Sequence, residues 1–144
     1  MFTFLSLVHV FGLVLGVGAA TVKLVLLFKC KSNSDFVSIF LKVVKPVTMI
    51  IIIGQVLLTL SGIGWLIVGY SFSTLIIIKI ILLGSLWVVG PLIDNLFSPK
   101  FQKSAPAPGE SVSVSFVKSQ KQLLAMEILA TGLFYVLLVL GVLL

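Results

Sequence analysis

Four apolar runs, about Phe2 to Phe28, Val43 to Val68, Ser73 to Phe97 and Leu123 to Leu144, take up most of the 144 residues, and each meets the ~20 residues that a membrane-spanning helix needs. Inside a bilayer every backbone N–H and C=O must find its partner within the protein, so runs of this length cross as helices. The expected fold is an all-α membrane protein, an antiparallel four-helix transmembrane bundle forming one integral membrane domain over 1–144. Helices are expected at about 2–28, 35–69, 73–97 and 120–144, with 98–119 as a flexible cytoplasmic linker. Hydrophobic residues make up 60% of the chain, above the roughly 45–50% of soluble domains. Four spans leave no room for a soluble domain.

The first run reads as a retained helix rather than a cleaved signal peptide. No basic residue precedes it, and it continues past Gly18, Ala19 and Ala20 to Phe28.

Charge sets the orientation. Lys29, Lys31, Lys42 and Lys45 flank the first connection, and Lys100, Lys103, Lys118 and Lys121 the third; the GYSFS turn, 69–73, and both termini carry none. Cytoplasmic loops hold the lysine excess, so the N- and C-termini are expected outside a cell membrane crossed four times. The formal net charge of +6 comes mainly from these loop lysines, which implies anionic lipid headgroups as partners and no nucleic acid.

Helix 2 is expected to begin early. Ser34 is a plausible N-cap, and Phe36, Val37, Phe40, Leu41 and Val44 recur at helical spacing. From Ser34 to Gly69 it would be ~52 Å long, against a hydrocarbon core of ~30 Å, with Pro46 as a kink at the boundary. The GYSFS turn makes helices 2 and 3 antiparallel neighbours. In the last connection, SVSVSFV alternates as a short strand would, without a partner strand in the sequence.

Ionisable residues inside spans are costly; they face the bundle interior, pair, or mark function. His9, Gly12, Gly16, Ala19 and Lys23 follow at steps of three and four and share one face of helix 1. Gly12 and Gly16 form a close-packing face, for helices of one chain or of a homo-oligomer. Counting turns places His9 and Lys79 at one level near the outer surface, and Lys23, Asp94 and Glu127 together as an intramembrane charge cluster toward the cytoplasmic side. The cluster is most simply a structural salt bridge. His9 is either a hydrogen-bonded structural residue or a metal ligand or proton carrier. Lys79 either snorkels to the surface or meets an anion.

The single cysteine, Cys30, excludes an intramolecular disulfide and any cysteine-based metal cluster; it is an idle thiol or a palmitoylation site. No nucleophile with its base, phosphate loop or metal-ligand cluster of soluble catalysis is present in the sequence.

With those positions identified, LVHVFGLVLGVGAATVKLVLLF, FLKVVKPVTMIIIIGQVLLTLSGIGWL and FSTLIIIKIILLGSLWVVG together resemble the small four-helix membrane proteins of the HemJ-type protoporphyrinogen oxidase and CopD-like group. In HemJ-type proteins a helix-1 histidine and a helix-3 lysine belong to the functional set, and the matching positions are His9 and Lys79. The resemblance implies haem b as the candidate cofactor, with His9 as its metal ligand. One departure is plain: the further histidine near the end of helix 3 is absent from LWVVGPL, 86–92. Two histidines of one subunit therefore cannot share one haem, which leaves a single axial His9 or two from a dimer. Three readings stand: a non-catalytic membrane module (an assembly factor or structural subunit) with or without a membrane protein partner, a haem- or porphyrin-binding membrane oxidoreductase, and a small permease or channel.

Overall fold

The computed structural model describes residues 2–31, 33–69 and 71–142. Helix α1 covers Phe2–Lys29 and α2 covers Ser34–Ile67. Helix α3, Thr74–Leu92, runs through a π-helical turn, Ile93–Phe97, into the short α4, Ser98–Ser104, and α5 covers Val114–Val142. All four spans are long and apolar enough to cross a membrane, the third being Thr74–Ser104. Among the described residues there is no strand.

The termini of the elements follow local chemistry. Asn33, not Ser34, caps α2, its side chain accepting from the Asp35 N–H at 3.0 Å. Gly69 closes the helix with φ of +102°, a conformation that L side chains rarely adopt. Ser73 caps α3 through the Ile76 N–H. Ser113 accepts from the Phe116 N–H at 3.2 Å, so the SVSVSFV stretch opens α5 as a cap and first turn instead of forming a strand. The α2 helix continues without a break across Pro46.

The expected linker at 98–119 is shorter than its composition suggested. Helix persists to Ser104 and resumes at Val114. Pro99 offers no N–H, and the π turn just before it accommodates the interruption, with the Ser98 N–H reaching the Ile93 carbonyl five residues back. Phe101 then anchors α4. Its ring meets Phe40 edge-on at 5.6 Å and Phe116 at 5.1 Å.

These rings belong to a dense core at the lysine-rich end. Leu27, Cys30, Val37, Phe40, Phe101, Phe116 and Leu123 are each at most 1% exposed. Helix α2 alone, with 34 residues, is ~51 Å long, longer than the ~30 Å that a hydrocarbon core requires.

In the membrane interior, close backbone approach holds the helices instead. Gly12 and Gly16 of α1 face Gly54 of α2; a Cβ on Gly54 would stand 2.6 Å from the Gly16 nitrogen and 2.8 Å from the Gly12 oxygen. The glycine face is thus used within one chain. Helix α1 lies along α2, α5 packs on α1, and α3 packs on α5, whereas α2 and α3 touch little despite the short turn between them. They are antiparallel but not close-packed. Gly90 of α3 is separated from α2 by the Gln55 side chain, and Trp87 reaches across to Thr59. No small-residue pair draws these two helices together, and two chambers occupy the gap.

Candidate functional site

The larger chamber lies toward the end where α1 begins and α5 finishes. It encloses about 570 Å³ and is lined from α1 by Ser6, His9 and Leu13, from α2 by Thr59 and Trp65 among others, and from α3 by Lys79, Leu83 and Trp87. His9 and Lys79 come to one level and one cavity from different helices.

His9 is held on two sides. Its ring lies 4.7 Å from the Trp65 ring, tilted by 36°, and its Nδ1 is 2.9 Å from Ser61 Oγ. Ser61 is buried and has one hydroxyl proton, which it donates to the Leu58 carbonyl at 3.0 Å. With that proton on Leu58, Ser61 accepts from His9 Nδ1–H, and it is this tautomer of the neutral ring that has its lone pair on Nε2. Metal-ligating histidines use this same device, in which one ring N–H is fixed by a neighbour and the other nitrogen is left to donate electrons. Lys79 is half-buried and lines the same chamber; no salt bridge to it occurs among the described residues.

Sequence reasoning missed Ser61, Trp65, Thr59 and Trp87. A signal was present: Gly54, Leu58, Ser61 and Trp65 recur at steps of four and three, which is one face of α2. That face meets α1, with Gly54 against the glycines and Ser61 against His9.

The smaller chamber, about 130 Å³, lies on the lysine-rich side of the first. Lys23 of α1, Glu127 of α5 and Asp94 of the π turn line it, with Gln55 and Thr48 of α2. Lys23 Nζ is 2.6 Å from Glu127 and 3.8 Å from Asp94. Lys23 and Glu127 are buried, and Asp94 is partly exposed. Direct pairing replaces the water that either charge would otherwise need. Trp87 lines both chambers, and its indole N–H donates to Thr59 Oγ1 at 3.1 Å.

Cys30 takes no part. It is fully buried, its Sγ–H points to the Leu26 carbonyl at 3.3 Å, and burial pushes the thiol up to about 11, which leaves neither the access nor the thiolate that acylation requires.

Among the described residues no three His, Cys, Asp or Glu side chains gather in a way that could hold a bare metal ion. No protein-family model, no curated protein and no solved structure matches the chain.

Proposed function

We propose that this multi-pass membrane protein binds a haem or related porphyrin in the His9 chamber, where His9 would hold the metal and Lys79 would pair with a carboxylate of the ring. The observation that carries the reading is that His9, held through Nδ1 by Ser61, stands with Lys79 at the wall of one large chamber. Three further features support it. The chamber volume of about 570 Å³ falls within the ~300–1,000 Å³ of small-molecule sites. A lone histidine suits a metal that brings its own macrocycle, since no cluster for a bare ion occurs among the described residues. The gap between α2 and α3 faces lipid, from which an apolar ligand can enter sideways. When bound, haem supplies one-electron or dioxygen chemistry that no side chain here offers.

The orientation belongs to the same proposal. Positive-inside bias puts the lysine-rich end in the cytoplasm and the His9 chamber in the outer leaflet of the cell membrane, with anionic headgroups around Lys42, Lys45, Lys100 and Lys118.

Absorption spectroscopy of the full chain, purified from haem-replete cells and then titrated with hemin, tests the reading. A Soret band is expected, abolished in His9→Ala and retained with affinity lowered by up to about tenfold in Lys79→Ala, because one residue supplies the iron bond and the other only a charge. An unchanged band in His9→Ala overturns ligation. A chain that takes up no hemin returns to the non-catalytic membrane module with an unused chamber.

A further inference from the structure

We propose that the two chambers in series form a proton route through the α2/α3 gap, with the Lys23, Glu127 and Asp94 chamber as its entry from the lysine-rich end and Trp87 as the partition that closes it.

Position is the first ground. Both chambers lie on the one face of the bundle where two neighbouring helices stay apart, and Trp87 is a wall of each. Its indole is tied across the gap to Thr59, whose own hydroxyl is anchored to the Gln55 carbonyl at 2.8 Å. The side chain that borders both spaces is therefore tied from α3 to α2.

Charge is the second ground. Fully ionised, the smaller chamber holds one positive and two negative side chains, Lys23 against Glu127 and Asp94. From α2 the lining is uncharged: Thr48, Ile51, Ile52 and Gln55. An excess negative charge within a span is costly unless a cation neutralises it. Lys23 stands within 4 Å of both carboxylates, so one cation serves two acidic groups at this level of the bundle. In the larger chamber the ionisable groups are His9 from α1 and Lys79 from α3; α2 contributes no charge there.

Hydration is the third. A volume of about 130 Å³ has room for several waters at ~30 Å³ each. Carboxylates within spans are a common element of proton relays.

The route needs neither haem nor a ligand in the His9 chamber, so its test is independent of the preceding proposal. The full chain is reconstituted into phosphatidylcholine–phosphatidylglycerol vesicles loaded with an impermeant pH-sensitive dye, and proton entry is driven by a potassium diffusion potential. Wild type is expected to conduct slowly. Trp87→Ala should raise the rate at least several-fold, Thr59→Val should raise it less, and Asp94→Asn added to Trp87→Ala should return it to the wild-type level. Equal rates in wild type and Trp87→Ala, at unchanged helix content and with a single oligomeric species, overturn the proposal. So does an Asp94→Asn combination that still leaks, or leakage of the dye itself, since both denote a defect in packing instead of a route. Should Trp87→Ala not fold, Thr59→Val keeps the bulk of the indole in place and carries the same test: an unaltered rate in that variant refutes the partition.

Discussion

The two ends of this molecule are built on opposite plans. At the lysine-rich end, Phe40, Phe101 and Phe116 interlock and close with Leu27, Cys30 and Val37 into a space with essentially no exposure. At the other end, α2 and α3 stand apart around a chamber of about 570 Å³ that holds His9 and Lys79. The difference teaches where each kind of force operates. Past the hydrocarbon boundary, burying an aromatic ring removes it from water and fixes four helices together. Within the hydrocarbon, a ring is as well solvated by lipid as by protein, so only small residues or polar pairs bring helices into contact. Gly12, Gly16 and Gly54 do so for α1 and α2, and nothing equivalent does so for α2 and α3. The open end is where a ligand can bind without dismantling the fold.

The sharpest way to break this comparison is to hollow out the closed end. Phe101→Ala removes a ring 1% exposed and is expected to cost ~3–5 kcal/mol, read as loss of the folded species in a detergent unfolding titration. Trimming the open end, by Leu83→Ala in the chamber wall, should cost less than ~1 kcal/mol, since the site already lacks close neighbours on one side. Equal losses would mean that the chamber is filled and packed in the native state.

Between the two ends sits the ion pair. Lys23→Met leaves Glu127 buried beside Asp94 without its cation. The expected loss is about 2 kcal/mol: smaller than for a buried pair in a soluble core, because the unfolded chain in a membrane also finds polar partners. The double variant Lys23→Met, Glu127→Gln should recover most of it. A double variant as unstable as the single one would show that Lys23 packs but does not pair.

Much of this arrangement was legible in the chain. Lys23 and Glu127 meet because each lies on the inward stripe of its helix, and His9 and Lys79 share a chamber because each is a similar count of turns from the same end. The helical state of 98–104 was not legible. Its local composition, with Pro99 and a run of polar residues, favours a loop, and only the contact of Phe101 with rings distant in sequence overrides that preference. The gap between α2 and α3 was equally hidden. A short turn fixes that two helices are antiparallel; how closely they pack depends on side chains such as Gln55 and Trp87, whose reach has no periodic signature.

Orientation is open to a test that costs no stability. Single cysteines at Ser71 and near Leu144 should react from outside the cell with an impermeant maleimide, and one at Ser111, in the connection between α4 and α5, should not. The native Cys30 adds little background at neutral pH, being buried with its thiol pushed up to about 11. Labelling at Ser111 in sealed cells would reverse the ends and place the His9 chamber on the cytoplasmic side.

The most discriminating test makes one chemical change at both kinds of contact. An added Cβ on Gly54 meets the α1 backbone at 2.6 and 2.8 Å, and one on Gly16 meets the Phe134 ring at 2.6 Å. A backbone contact cannot turn aside as a ring can, so Gly54→Ala should cost ~1–3 kcal/mol and Gly16→Ala the lower part of that range. On the open side, a Cβ on Gly62 or Gly84 meets nothing within 4 Å, and one on Gly90 meets only Gln55 Oε1 at 4.0 Å. There alanine has no clash to relieve and favours helix over glycine by up to ~1 kcal/mol. Gly62→Ala, Gly84→Ala and Gly90→Ala should accordingly leave thermal stability unchanged or slightly raised, measured as the temperature of detergent-resistant folding. Substantial destabilisation by Gly84→Ala or Gly90→Ala would mean that α2 and α3 close upon each other in the membrane, and the chamber, the lateral entry and the partition at Trp87 would fall with that result.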